Sequence, residues 1–291
     1  MPDYLTTREL ADLLRIKERK VYDLVAGGEV PVSRATGKLL FPRAEVDTWL
    51  RRHSIGFQAG SAIARPLVVA GSHDPLLDWA LRESGAGLAT YFDGSLDGLE
   101  RFADGRALMA ALHLHDAGSG RWSDVRVSEQ FSDEPVVLLE FAWRDRGLVV
   151  GRESAGRIDS INALTGCRVV PRQPQAASQL LLEQMVSEAG VERIDWLHPA
   201  RTETDAVLAV AQGQADAAFG LAGLAEQFGL AFVPLLNERF DLLVRRRDWF
   251  EAPLQRFAAF CGGPAFDRKA REMGGYQISD FGRAHFNGAE R

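Results

Sequence analysis

Residues 6–52, TTRELADLLRIKERKVYDLVAGGEVPVSRATGKLLFPRAEVDTWLRR, decide how the chain begins. Thr6 with Glu9 three residues later forms a capping box, and Leu10, Leu13 and Leu14 follow at helical spacing, so a short amphipathic helix starts here. After Arg15-Ile16-Lys17, the stretch Glu18 to Ala26 collects Val21, Leu24 and Val25 on one face. It leaves Arg19, Lys20, Tyr22 and Asp23 on the others. Gly27-Gly28 ends this second helix, because glycine accepts the left-handed geometry of a C-cap. Val30–Arg34 and Lys38–Phe41 flank a Thr36-Gly37 turn, which predicts a β-hairpin with Arg34 and Lys38 near its tip. Arg43 to Arg52 reads as a third helix with Val46, Trp49 and Leu50 inward.

Beyond His53 the pattern changes. Residues 54–66 combine small residues, glycines and no period, and read as a linker between a domain over 1–53 and a larger one over 67–291. The larger part opens with a buried strand, Leu67-Val68-Val69-Ala70-Gly71, which gives way to a helix from Leu76 to Arg82. Strands follow at Ala89–Phe92, Ala107–His113, Val136–Phe141, Gly147–Val150, Cys167–Val170, Ala217–Gly220 and Phe240–Val244. Helices are expected after Ser95, near Ile158–Leu164, over Ser178–Ala189 and over Asp205–Gln212. Strands alternating with helices over this length imply an α/β fold with mostly parallel pairing.

The 291 residues suit two or three globular units, and 46% hydrophobic with 25% charged residues is the balance of a chain that packs a core. The net charge of −6 divides unevenly. Through His53 ten Lys/Arg face eight Asp/Glu, and after it 24 face 32, so the positive balance sits in the first domain. Cys167 and Cys261 lie far apart and read as buried reduced thiols. No apolar run spans a bilayer and no signal region opens the chain, so a cytoplasmic protein with no membrane partner is expected. The chain has no G-x-S-x-G elbow, phosphate loop, HExxH or dinucleotide fingerprint, so neither an enzyme nor a cofactor is expected.

The order helix, turn, helix, glycine pair, basic hairpin and FPRAEVDTWL resembles the excisionase-type, MerR-related winged helix-turn-helix domain. That resemblance implies double-stranded DNA as partner. It places the second helix in the major groove and the wing on the backbone, and gives DNA roles to Lys17, Arg19, Lys20, Tyr22, Arg34 and Lys38. The family often has Ser or Thr where Lys17 stands, which puts the cap of the second helix in question. The segments GSHDPLLDWAL (71–81), ALMAALHLHD (107–116), RGLVVG (146–151), RQPQAASQLLLEQM (172–185), AVLAVAQGQADAAFGL (206–221), FVPLLNERFDLLV (232–244) and MGGYQISDFG (273–282) together resemble a second family. It is the periplasmic-binding-protein-like sensor domain related to molybdate- and tungstate-binding proteins, a two-lobed type II fold with its ligand between the lobes.

That resemblance implies a small anionic ligand, molybdate or tungstate among the candidates, held by helix N-termini and hydroxyls. Ser72, His73 and Asp74 stand at a strand-to-helix junction of the first lobe. Arg172, Gln175 and Ser178 belong to the loop where the family pattern resembles R-Q-x-G-S-G-T-R. Here Arg172, Gln173 and Ser178 keep the pattern, while Gln175, Ala176, Ala177 and Gln179 replace the glycines, the small Ser and the final Arg. His115, with His113 and Asp116, ends a strand near the same cleft, where a metal or pH-sensitive cluster is a lesser option. Asp205, Asp216 and Asp241 are given no chemistry, and Tyr276 is expected in core packing near the hinge. The whole reads as a homodimeric transcription regulator in which a ligand closes the lobes and alters the spacing or affinity of paired DNA-binding heads. The alternative is an excisionase-like or architectural DNA-binding protein whose second domain binds an organic ligand or a protein.

Overall fold

The computed structural model describes residues 4–34, 37–43, 45–46, 49–50 and 65–289. The chain divides into two compact units, residues 1–64 and 65–291. Apart from Arg65 and Pro66, the expected linker over 54–66 lies outside the described residues.

The first unit begins with a short strand β1 (Tyr4–Thr6) and helix α1 (Thr7–Leu14). The capping box is formed: the Thr6 hydroxyl accepts from Glu9 N at 3.3 Å, and the Glu9 carboxylate accepts from Thr6 N at 2.7 Å. Helix α2 (Glu18–Ala26) starts at Lys17 with no side-chain cap, as the exchange of Ser or Thr for Lys implies. It ends where Gly28 takes φ +68°, letting Glu29 N reach Leu24 O at 2.9 Å. The hairpin is much reduced from the expectation. Strand β2 (Leu40–Pro42) pairs antiparallel with β1, and Ser33 meets Leu40 in a single antiparallel bridge. Pro31 has no N–H for a ladder, which limits the outgoing arm. Ala35 and Thr36 lie outside the described residues, and Arg43, Glu45, Val46, Trp49 and Leu50 of the third helix are helical. Leu10, Val21, Val25, Phe41 and Val46 are buried together, with Trp49 and Leu50 packed against them. Each such side chain contributes about 1.5–3 kcal/mol by leaving water.

The second unit is built on one ten-stranded sheet. Its first part runs β3 (Val68–Gly71), α3 (Pro75–Glu83), β4 (Ala89–Phe92), α4 (Ser95–Ala103), β5 (Met109–Leu112) and α5 (Asp124–Phe131). A 15-residue strand β6 (Val136–Val150) leads into the second part. There β7 (Arg168–Val170), α6 (Ala177–Glu188), β8 (Asp195–Trp196), α7 (Glu203–Ala211), β9 (Ala217–Leu221) and α8 (Ala222–Gln227) follow. A second 15-residue strand, β10 (Ala231–Arg245), returns to the first part. The chain closes with α9 (Arg246–Trp249), α10 (Ala252–Cys261), α11 (Pro264–Met273), β11 (Tyr276–Gln277) and β12 (Ala284–Asn287).

The strand order is β4-β3-β5-β10-β6-β9-β7-β8, with β11 and β12 added on β6. β3 pairs parallel with β4 and β5, and β7 pairs parallel with β8 and β9. These are the sheets of two lobes. β6 and β10 pair antiparallel along their length, from Val150–Ala231 to Val136–Arg245. At roughly 3.3 Å per residue each is about 50 Å long, enough to traverse both lobes. The expectation of separate strands at 136–141 and 147–150 is therefore corrected: Arg144, Asp145 and Arg146 are the charged middle of one strand. Likewise Phe240–Val244 is the end of a longer strand, and the helix expected near 158–164 is a single 3-10 turn over Ile161–Leu164.

Each lobe has its own core. Val69, Leu76, Phe141, Phe240, Phe257 and Phe266 are among the buried residues of the first, and Leu148, Val169, Leu181 and Phe219 among those of the second. In the first lobe α4 packs hard on β3: a Cβ on Gly98 would lie 2.3 Å from Gly71 Cα, so neither position tolerates a side chain. Cys167 and Cys261 are both buried free thiols, and burial pushes the Cys261 thiol up.

Candidate functional site

Parallel strands deliver their following residues to one end of each lobe. After β3 come Ser72, His73 and Asp74, after β5 comes His113, and after β7 comes Arg172; Glu203 opens α7. The two long strands add Arg144, Arg146 and Glu238 from their middles. These side chains form a buried chain of ion pairs. Asp74 caps α3 by accepting from Leu77 N at 2.7 Å, and its other oxygen accepts from Arg144 Nη1 at 2.8 Å and the Tyr276 hydroxyl at 2.9 Å. Glu238 Oε2 accepts from Arg144 Nη2 at 2.7 Å and Arg146 Nε at 2.5 Å, while its Oε1 meets His113 Nδ1. Arg146 reaches into the second lobe, where its Nη2 donates to Glu203 Oε1 at 3.1 Å. Arg172 completes the chain, with Nη1 3.8 Å from Glu203 Oε1.

The electrostatics follow from burial and pairing. Burial alone would raise the Glu238 carboxyl, but Arg144, Arg146 and His113 outweigh it and hold the group well below its ordinary range. Glu203, similarly penalised by burial, is brought down to about 2 by Arg146 and Arg172. Burial pushes the imidazoles of His113 and His73 down, against the pull of neighbouring carboxylates. The three guanidiniums of Arg144, Arg146 and Arg172 face the three carboxylates of Asp74, Glu203 and Glu238, and the cluster carries no net charge. Such a cluster specifies geometry more than it stabilises, since desolvation offsets most of the attraction.

The lobes also touch at the rim. Asp93, after β4, accepts from Gln173 Nε2 at 3.1 Å and from Arg201 Nη2 at 3.2 Å. Next to it Gly94 sits at φ +112°, and a Cβ there would lie 3.1 Å from the carbonyl oxygen of Gln175. Glycine lets the first lobe approach the second-lobe loop this closely.

The expected ligand residues are distributed as follows. Ser72 is buried and its hydroxyl shares a hydrogen bond of 2.8 Å with Ser95. Asp74 is saturated by protein partners. His73 packs edge-on to Phe92, and its Nδ1 is buried without a hydrogen-bond partner. Arg172 donates through Nε and Nη2 to the carbonyls of Ala200 and Arg201, leaving Nη1 buried with no hydrogen bond. Ser178 is buried in the first turn of α6, and the Gln175 side chain is exposed. His115 does not join His113. It packs against Trp122 at 5.0 Å in a separate cavity of about 200 Å³ with Leu96 and Arg126, while Asp116 accepts from Ser119. Among the described residues no group of three or more His, Cys, Asp or Glu side chains is placed to hold a metal ion.

Arg144, Arg146, Glu203, Glu238 and Ser95 were not anticipated. The available signal was the charged Arg144-Asp145-Arg146 between two apolar runs, and Glu238 just ahead of another. Of the unassigned acids, Asp205 completes a capping box with Thr202, and Asp216 pairs with Arg168 at 3.0 Å. Asp241 lies inside β10, buried and paired with Arg239 at 2.8 Å.

In the first unit, Lys17, Arg19, Lys20 and Tyr22 are exposed on α2 and at its start, opposite or beside the buried Val21 and Val25. Arg34 and Lys38 are exposed too. Exposed cationic side chains of this kind can meet phosphates and base edges.

A family model described as a PBP superfamily domain matches residues 78–262, and one described as a helix-turn-helix domain matches residues 4–54. The chain is 23% identical over 302 residues to the uncharacterized protein YvgK of Bacillus subtilis (strain 168), with 96% of each chain covered. Among solved structures, the effector binding domain of a BenM variant is similar with TM-score 0.49 and 14% identity, over 73% of this chain and 99% of that one. An OxyR mutant of Corynebacterium glutamicum gives TM-score 0.48 and 14% identity, over 92% and 87%. The effector binding domain of QuiR in complex with shikimate gives 0.46 and 10%, over 66% and 93%.

Proposed function

Because the chain belongs to the PBP superfamily and carries a helix-turn-helix domain ahead of that domain, we propose that it is a DNA-binding transcription regulator whose second unit senses a small anionic ligand in the cleft between its lobes. The single observation that best supports this reading is the buried cleft cluster. It gathers residues from the C-terminal strand ends of both lobes and from both crossover strands, and leaves Arg172 Nη1 and His73 Nδ1 without hydrogen-bond partners. A ligand that engages both lobes favours their closed arrangement, and that shift is the event communicated to DNA binding.

In this reading the protein acts in the cytoplasm as a sensor and not as an enzyme, and binds palindromic double-stranded DNA as a homodimer, since single heads of this size bind weakly. The head is of the excisionase and MerR type, with Lys17, Arg19, Lys20 and Tyr22 addressing the groove and Arg34 and Lys38 the backbone. Molybdate and tungstate are doubly charged candidates within the ligand class. A thermal-shift screen of the full chain against molybdate, tungstate, sulfate, phosphate, formate and organic anions tests the reading, because a ligand bound to the folded state alone raises the melting temperature. No shift with any anion overturns it.

A further inference from the structure

We propose that the cleft ligand is a singly charged carboxylate, bridged between His73 Nδ1 of the first lobe and Arg172 Nη1 of the second. This rests on the anion-sensing reading above and narrows it.

Three observations converge. The first is charge. Arg144, Arg146 and Arg172 are already balanced by Asp74, Glu203 and Glu238 in direct pairs. A dianion would add two uncompensated charges to a buried, neutral cluster, where desolvation is not repaid. A monoanion adds only one, the smaller charge to bury.

The second is the set of unused atoms. Of the buried atoms without hydrogen-bond partners, those in this cluster are His73 Nδ1, Arg172 Nη1 and Arg144 Nε. The Arg144 guanidinium lies over the Phe240 ring, 4.1 Å from its centroid, so the ring face covers it. The other two come from opposite lobes. Both can donate, and the carboxylates of the cluster have their acceptor capacity engaged by the arginines, His113, Tyr276 and Leu77 N. Two donors on two sides match the two oxygens of one carboxylate. A tetrahedral oxyanion presents four oxygens and would leave some of them unmet.

The third is the loop before α6. Gln175, Ala176 and Ala177 make it bulkier than a glycine cradle, and Ala176 and Ala177 are buried. Arg172 Nη1 lies 3.8 Å from Glu203 Oε1, too long for a hydrogen bond, so it can still donate while Nε and Nη2 hold the guanidinium on the Ala200 and Arg201 carbonyls. His73 is within the field of Asp74, Asp78, Glu203 and Arg172, so it feels both lobes.

Isothermal titration of the full chain with acetate, lactate and benzoate, and separately with sulfate and molybdate, tests the assignment. At least one monocarboxylate is expected to bind tenfold or more tightly than either dianion, and to lose tenfold or more in His73→Asn. Arg172→Gln should show the same loss, and His73→Asn keeps the test decisive if the Arg172 variant misfolds, because the His73 ring carries no structural hydrogen bond through Nδ1. Glu203→Gln, which removes one negative charge, should raise sulfate affinity tenfold or more. Tighter binding of molybdate or sulfate than of every carboxylate overturns the carboxylate assignment while leaving anion sensing intact. Carboxylate binding unchanged by His73→Asn also overturns it. Binding of neither class overturns both.

Discussion

Tyr276 donates its hydroxyl proton to Asp74 Oδ2 across 2.9 Å, although the two residues are 202 positions apart in the chain. The contact ties β11, near the end of the chain, to the cap of the first helix of the lobe, and both groups feed the same arginine chain that crosses the cleft. Tyr276→Phe removes one donor and leaves Asp74 with Leu77 N and Arg144, so a loss of about 1 kcal/mol in urea unfolding is expected. Asp74→Ala takes from the buried Arg144 one of its two carboxylate partners, leaves the cluster with an unbalanced charge and uncaps α3, and should cost about 3–5 kcal/mol. Equal effects of the two variants would contradict the ranking.

The rim contact at Asp93 and Gly94 predicts a conformational effect. Gly94→Val forces a side chain against the Gln175 carbonyl and places a β-branched residue at φ +112°, which together hold the lobes apart. With spin labels at the exposed positions Arg82 and Glu192, the inter-lobe distance should lengthen. Asp93→Asn alone, an exposed pair, should cost under about 1 kcal/mol. An unchanged distance in Gly94→Val would show that the lobes do not depend on this close approach.

On the DNA side, Arg19→Ala with Lys20→Ala should weaken binding without lowering the melting temperature, since both side chains are exposed and without a packing role. If each neutralises one phosphate, the slope of log affinity against log salt should fall by about 1 per residue. Filter binding at several salt concentrations measures it, and an unaltered slope removes both from the interface.

The acids predict opposing pH effects on stability. Glu203 is held at about 2 when folded, below the ordinary 4.5, so its contribution is present above pH 4.5 and is lost as pH falls toward 2. Burial raises Asp241 to about 6 from 3.8 despite Arg239. The folded state then binds a proton that the unfolded chain releases, and stability declines as pH rises from about 4 to 6, by roughly 3 kcal/mol. Asp241→Asn should flatten that decline in urea unfolding followed across pH 3.5 to 7. A slope unchanged by the substitution would mean that Asp241 titrates normally.

Where local chemistry decides, the sequence was readable. The capping box at Thr6 and Glu9, the stop at Gly28, and the junction at Asp74 all depend on neighbours within four residues, and each forms as read. The crossover strands were harder. A charge inside an apolar run reads as a strand end when its partners are unknown, yet Arg144 is paid for by Asp74 and Glu238, distant in sequence. The hairpin was overread because alternation and a turn signal outweighed the missing N–H of Pro31, and the competing partner, Tyr4–Thr6, lay outside the motif. For the same reason the cleft was visible as strand-end residues such as His73 and Arg172, but not as a charge-balanced cluster, which exists only once both lobes are assembled.

The most direct test of the account is fluorescence anisotropy of the purified full chain on a DNA fragment selected from random sequence, measured with and without the anion that most raises its melting temperature. The account predicts sequence-selective binding whose affinity changes at least fivefold with the anion, an effect lost in His73→Asn. Binding that is equally tight on unrelated DNA, or that does not respond to an anion which demonstrably stabilises the protein, would contradict it.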